Sequence, residues 1–215
     1  MLIPYNILVS KYKMKVNGIL HIGAHDCEEM VQYITNGCSI DKIIWVEGNP
    51  NLVEKCKKKY NNIIIKGCVI SNEDNKECSF NITNNGQSSS ILELGTHKKY
   101  YPHINFIEKL TLKTKRIDTM YKEENISDNF ANFLNIDIQG AELLALKGMG
   151  ELLNNFDYVY LEVNREYLYK NCCLVGELDE YLGTFDFKRI DTIWTDANWG
   201  DAIYIKNTTP SPNQL

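Results

Sequence analysis

No stretch of this chain approaches the ~18 consecutive apolar residues of a membrane span. The seven cysteines (Cys27, Cys38, Cys56, Cys68, Cys78, Cys172 and Cys173) include no Cys-x-x-Cys spacing. A zinc ribbon or a secreted disulfide framework is therefore not indicated. The thiols read as reduced, several of them in the core of an intracellular protein, and the adjacent pair at 172–173 as incidental. Basic residues are not in excess: 23 Lys and Arg against 28 Asp and Glu leave a net charge of −5. That balance gives no reason to expect nucleic acid or an anionic membrane as a partner, although a small anion could still meet a local cation. Residues 1–15 lack the basic start and apolar centre of a signal peptide, so a cytoplasmic location is expected.

The remaining composition, 44% hydrophobic and 24% charged, is that of a globular chain. Apolar runs at 18–22, 42–47, 63–70, 133–137 and 158–163 read as buried strands. Helical patterns at 28–36, from Pro50 to about residue 60, 141–153 and 174–182 separate most of them. Alternating strands and helices imply right-handed crossovers and a parallel sheet. Residues 185–193 and 202–206 read as two closing strands with no helix between them, and so as an antiparallel pair. Residues 72–120 break the rhythm and read as an insertion with added strands and a loop cover, between strands three and four. With no repeat and no linker, one domain is expected over 1–206, followed by a disordered polar tail at 207–215.

The chain is organised around Gly18-Ile19-Leu20-His21-Ile22-Gly23-Ala24-His25-Asp26-Cys27-Glu28-Glu29. An apolar strand runs into a glycine and then into polar and acidic residues. In an open α/β sheet such a turn lies at the carboxyl edge, where ligands bind. Gly23 lets backbone approach a ligand closely. A dinucleotide site calls for Gly-x-Gly-x-x-Gly, and here a single glycine is followed by acids that would repel a diphosphate. S-adenosylmethionine, cationic and free of phosphate, suits the turn better. Glu47 stands 24 positions after Gly23 at the end of the second strand, where an acid holds ribose hydroxyls. Asp137 ends the fourth strand, beside the first, at the switch point of the sheet.

Three blocks, Leu20-His21-Ile22-Gly23-Ala24-His25, Trp45-Val46-Glu47-Gly48-Asn49-Pro50 and Asp137-Ile138-Gln139-Gly140-Ala141-Glu142-Leu143, resemble the FkbM family of S-adenosylmethionine-dependent methyltransferases. Ser88-Ser89-Ser90, Ile117-Asp118, Glu162-Val163-Asn164 and Gly200-Asp201-Ala202 extend the likeness over about 16–206. Gln139 departs from it, standing where the family often has glutamate. Cys27 stands where a glycine is common, which suggests that the backbone there needs no positive φ. The resemblance implies a class I methyltransferase, Rossmann-like α/β fold. Its sheet has seven mostly parallel strands, the last antiparallel, with helices on both faces. It also implies O-methylation of a small molecule or carbohydrate acceptor.

On this reading Gly23, Ala24 and His25 pass the methionine portion, with Glu28 nearby, and Glu47 holds the ribose beside Gly48 and Asn49. Cys68, Val69 and Ser71 border the adenine. Asp137 lies near the methyl group, holding the cofactor ammonium or taking the acceptor's proton, and His25 is the alternative base. His21 reads as a core imidazole. Ser89, Ser90, Glu142, Glu162, Asn164 and Tyr169 are the candidate acceptor contacts. Tyr100, Tyr101, Tyr167, Trp194 and Trp199 add aromatic faces near the same edge, either for a sugar ring or for packing. No metal is called for, although Asp137, Glu162 and Asn164 could supply oxygen ligands to Mg²⁺. The competing readings are a nicotinamide-dependent oxidoreductase, disfavoured by the missing glycines, and a non-catalytic nucleotide-binding domain.

Overall fold

Runs of β-branched and aromatic residues dictate strands that are buried on both faces, as a parallel sheet covered by helices requires. A computed structural model describes residues 1–207. A first helix, α1 (Tyr5–Tyr12), leads into β1 (Ile19–Ile22), α2 (Met30–Thr35), β2 (Ile43–Glu47), α3 (Pro50–Lys59) and β3 (Ile64–Gly67). After a middle segment come α5 (Ile117–Glu123), β7 (Phe133–Ile136), α6 (Glu142–Met149), β8 (Tyr158–Asn164), α7 (Val175–Gly183), β9 (Phe187–Trp194) and β10 (Trp199–Lys206). The middle segment holds β4 (Val69–Ile70), β5 (Glu77–Thr83), α4 (His97–Tyr100) and β6 (Phe106–Lys115).

Seven strands form one sheet in the order β3-β2-β1-β7-β8-β10-β9. The first five pair in parallel, and β10 runs antiparallel to both β8 and β9. Alternate side chains of each strand enter different cores. Leu20, Ile22, Ile136 and Leu161 pack with α5, α6 and α7. Ile19, Trp45, Phe133 and Tyr160 pack with α1, α2 and α3. Helices thus cover both faces, as expected. Helix α1 completes the second core: Tyr5 meets the rings of Tyr33 and Phe133 edge-on at 4.8 and 5.4 Å. All seven cysteines are free thiols, five of them buried.

Four expectations need correction. The third apolar run is two strands, because β4 leaves the main sheet after Cys68 and pairs with β6 in a small sheet ordered β4-β6-β5. Residues 117–120, assigned to the insertion, begin α5, whose Ile117, Met120 and Tyr121 belong to the core beneath the main sheet. The helix expected over 141–153 tightens into a 3-10 turn at Gly150–Asn155. Finally, Cys27 does adopt a positive φ, +56°. Its amide bonds back to the Ala24 carbonyl at 2.7 Å, and its side chain is wholly buried, which offsets the local strain. The tail expected at 207–215 lies, from residue 208 onward, outside the described residues. Among the described residues no helix is long and apolar enough to cross a membrane.

The chain is closely packed just beyond the paired strands β1 and β7. Gly23 has a φ of +90°, and a Cβ added there would lie 1.8 Å from the Asp137 carbonyl oxygen. The sequence suggested that Gly23 makes room for a ligand; the backbone that approaches it is the protein's own. Gly23→Ala is expected to lose more than about 4 kcal/mol of stability, because neither backbone can yield without breaking the adjacent ladder. Urea denaturation checks this, and a midpoint equal to that of the unaltered chain would contradict it.

Candidate functional site

The carboxyl ends of β1, β2, β7 and β8 open into a cavity of about 660 Å³, within the range of roughly 300–1,000 Å³ typical of ligand pockets. Residues 85–91 and the segment from His97 to Ile104 form its other walls.

The first turn hooks onto the end of β2. The amides of Gly23 and Ala24 donate to the Val46 carbonyl at 2.9 and 3.0 Å. The His25 amide donates to Glu47 Oε2 at 2.8 Å, and the Asn49 amide to Glu47 Oε1 at 2.7 Å. Each Glu47 oxygen therefore has one backbone donor and keeps lone-pair capacity toward the cavity. Burial raises the Glu47 pKa, and these amides hold it back. Asn49 also caps α3, its Oδ1 accepting from the Asn51 amide at 3.0 Å. Gly48 packs against the Phe80 ring of the small sheet. Cys68 and Val69 line the wall beyond it. His25 Nδ1 lies 2.8 Å from Glu28 Oε1, and that bond raises its pKa. His21 is a core imidazole, hydrogen-bonded to Tyr33 Oη at 3.1 Å and stacked on Trp45. Burial lowers its pKa to about 4.

Across the cavity, Gln139 joins two carboxylates. Its amide nitrogen donates to Asp137 Oδ1 at 2.6 Å and to Glu162 Oε2 at 2.7 Å, while its Oε1 accepts from Tyr169 Oη at 2.6 Å. Both N–H donors and one lone pair of the oxygen are engaged, which fixes the orientation of the amide. Asp137 is enclosed by protein but open to the cavity. That enclosure, with the charge of Asp201, raises its pKa to about 6 against the pull of Gln139. Burial and the neighbouring carboxylates push Glu162 well above its ordinary range. Asp201 stands opposite Glu162 in the β8–β10 ladder and accepts from Tyr160 Oη at 2.6 Å.

Of the residues singled out by sequence, Gly23, His25, Glu28, Glu47, Gly48, Asn49, Cys68, Val69, Ser89, Ser90, Asp137, Glu162 and Tyr169 line the cavity. Ala24, Ser71, Glu142 and Asn164 do not. The Ser71 carbonyl packs against Gly148 of α6, where an added Cβ would lie 2.2 Å from it. Glu142 turns inward, its Oε1 accepting from the Ile138 and Gly140 amides at 3.1 and 3.0 Å, so it shapes the loop and does not face an acceptor. Asn164 is fully buried. The serine hydroxyls are already engaged: Ser90 Oγ donates out of the loop to the Gln139 carbonyl at 2.8 Å, and Ser89 Oγ donates within it to the Gly86 carbonyl at 2.6 Å. Of the aromatics, Tyr101, Tyr169 and Trp199 reach the wall, whereas Tyr100, Tyr167 and Trp194 do not. Gln139 places N–H donors between Asp137 and Glu162, where a cation would have to sit. Among the described residues no group of three or more His, Cys, Asp or Glu side chains is arranged to hold a metal.

Sequence reading gave no site role to Gln139, Asp201, Tyr160 or His97, all of which line the cavity. The closing strand read from the sequence began at residue 202 and left Asp201 in the preceding loop, whereas β10 begins at Trp199 and includes it.

Residues 21–197 match a family model described as the methyltransferase FkbM domain. Among solved structures, the methyltransferase FkbM from Methylobacillus flagellatus KT is similar, at 15% identity and a TM-score of 0.54, over 88% of this chain and 43% of that one. The present chain thus spans less than half the length of that protein. Magnesium protoporphyrin IX methyltransferase from Synechocystis PCC 6803, solved with S-adenosylmethionine, aligns at 9% identity and a TM-score of 0.47, over 94% and 75% of the two chains. A SAM-dependent methyltransferase from Aquifex aeolicus aligns at 10% and 0.47, over 94% and 89%. No curated protein sequence matches the chain.

The acidic cluster makes stability depend on pH. Burial, and then the charge of Asp137, raise the Glu142 pKa to about 7. A carboxyl whose folded pKa exceeds its unfolded one stabilises most below the unfolded value, and that contribution disappears as pH rises through about 7. The melting temperature is expected to fall between pH 5 and pH 8, and Glu142→Gln is expected to flatten that fall by about 3–6 °C. Thermal melts at the two pH values decide it; identical slopes would place the titration elsewhere.

Proposed function

We propose that this chain, which belongs to the FkbM methyltransferase family, moves the methyl group of S-adenosylmethionine onto a hydroxyl of a small molecule or sugar. The observation that carries this reading is the charge of the cavity wall. Glu28, Glu29, Glu47, Asp137, Glu162 and Asp201 line it, and no lysine or arginine does among the described residues. Such a wall suits a sulfonium and an ammonium and repels a diphosphate. The cofactor, when bound, supplies a methyl carbon already activated for in-line displacement.

The protein's part is binding, alignment and one proton transfer. The turn from Gly23 to His25 carries the methionine portion, with Glu28 beside it. Glu47 holds the ribose, its two oxygens accepting from a vicinal diol, and Gly48 and Asn49 continue that wall. Cys68 and Val69 border the adenine. Asp137 takes the acceptor's proton; with a pKa raised to about 6 it is ionised at neutral pH yet basic enough to serve. Gln139 keeps Asp137 in one orientation. His25, tied to Glu28, is the second candidate base.

Glu47→Ala is expected to weaken S-adenosylmethionine binding by about 1–3 kcal/mol, roughly 5- to 150-fold, in calorimetry. If NAD binds the unaltered chain and S-adenosylmethionine does not, the proposal fails. Across a panel of hydroxyl compounds, Asp137→Asn is expected to cut turnover at least about 100-fold while the cofactor still binds. In the unaltered enzyme kcat/KM is expected to fall as pH drops below about 6, where Asp137 gains a proton. A flat profile from pH 5 to 8 removes Asp137 as the base.

A further inference from the structure

His97 lines the cavity although neither nitrogen of its ring is hydrogen-bonded within the described residues. It is 4% exposed; its Nδ1 is shut off without a partner, and Nε2, which also has no partner, is the nitrogen open to a ligand. Buried polar groups are almost always satisfied, so an imidazole with neither nitrogen bonded calls for a missing partner. The ring is nevertheless held firmly. The His97 amide donates to the Leu168 carbonyl at 3.1 Å, and the imidazole packs against Tyr101 and Tyr169 with centroids 4.9 and 5.5 Å away. Burial, with His103 and Lys98 nearby, lowers its pKa, so at neutral pH the imidazole is uncharged. A neutral imidazole has one donor and one acceptor, the same pair that a hydroxyl offers.

Two further observations bear on what meets it. Trp199 Nε1 donates to Tyr101 Oη at 2.9 Å, which fixes two aromatic side chains beside His97 in the same wall. Aromatic faces of this kind cover the C–H faces of saturated rings. The segment from His97 to Ile104 brings no carboxylate to the cavity, and no lysine or arginine lines it among the described residues. Residues 208–215 contain neither lysine nor arginine. The Met1 ammonium at the wall is already paired with Glu29, at 3.3 Å. An acceptor bearing a phosphate or carboxylate would thus lose water among six acidic side chains with no lysine or arginine to receive it.

We infer that the methyl acceptor is a polyhydroxylated ring without an anionic group, seated against Tyr101 and Trp199, with one of its hydroxyls hydrogen-bonded to His97. This rests on the methyltransferase reading above and narrows it to carbohydrate-like acceptors that carry no negative charge. His97 is then an acceptor-binding residue that takes no part in holding the cofactor.

The test is saturation-transfer NMR on the protein loaded with S-adenosylhomocysteine, using a panel of neutral methyl hexosides and 6-deoxyhexosides, with the matching uronates and 6-phosphates. At least one neutral glycoside is expected to receive transfer, and the anionic counterparts none. His97→Ala is expected to reduce that signal at least five-fold, and His97→Gln, which keeps a donor and an acceptor, to retain more than half. In both variants the affinity for S-adenosylhomocysteine, measured by calorimetry, stays within two-fold and certifies the fold. Equal transfer to anionic probes, no transfer to any neutral glycoside, or an unchanged signal in His97→Ala overturns the inference. Those results leave the methyltransferase reading standing when S-adenosylhomocysteine binds. Failure of S-adenosylhomocysteine to bind the unaltered chain overturns both.

Discussion

Carboxylates that converge at one edge of the sheet, with no lysine or arginine among them in the described residues, set the terms for everything around them. Glu47, Glu142, Glu162 and Asp201 are buried, and Asp137, itself exposed, stands beside them at the cavity. Like charges in a partly dry site repel strongly, and burial disfavours each charge by itself. The fold answers with neutral donors. Backbone amides serve Glu47 and Glu142, Tyr160 serves Asp201, and the Gln139 amide serves Asp137 and Glu162 together. Dipoles stabilise these groups without cancelling the negative potential. The edge therefore remains attractive to a positively charged ligand, which a lysine or arginine in the same place would prevent.

Gln139 also ties the chemistry to the cover. Its side chain accepts from Tyr169, and its own carbonyl accepts from Ser90 Oγ. On the opposite side Gln87 reaches Glu28 at 3.4 Å. The loop at residues 84–92 is thus fastened to the carboxylate wall and to the first turn; the Ser90 hydroxyl makes one of these fastenings, and those of Ser88 and Ser89 bond within the loop. Its contribution is to position Gln139 and to wall one side of the cavity, and the segment beginning at His97 walls another.

The seven strands of the main sheet, the antiparallel closing pair, the helix start at Pro50 and the placement of Glu47 and Asp137 at strand ends were all legible in the sequence. Each depends on local period, capping or strand-end chemistry, and these act over a few residues. What escaped depends on contacts between distant segments. β4 reads as a continuation of β3 because both are apolar; only pairing with β6, more than 40 residues later, separates them. Cys27 reads as a residue that avoids positive φ, yet burial of its side chain and the hydrogen bond to Ala24 hold it there. Glu142 and Asn164 resemble site residues by type and position, but their side chains point into the protein, and direction is not encoded in a one-dimensional spacing. Gln139 looked like the loss of a charge, when its neutrality is what allows it to hydrogen-bond two acids at once.

That last point bears on how far family membership reaches. At 15% identity a shared sheet establishes the layout of strands and helices and leaves the acceptor open, because one scaffold hosts many chemistries. The information about the acceptor lies in which charges the wall contains and which polar atoms it leaves unsatisfied. A glutamate in place of Gln139 would add a third carboxylate to Asp137 and Glu162, and such a group could be stable only with a shared proton or a bound cation. The amide meets the same geometric need with two N–H donors and leaves the protonation of Asp137 to be set by its surroundings. The departure at this one position therefore changes how the acids are kept apart, and the site built here manages it through hydrogen bonds alone.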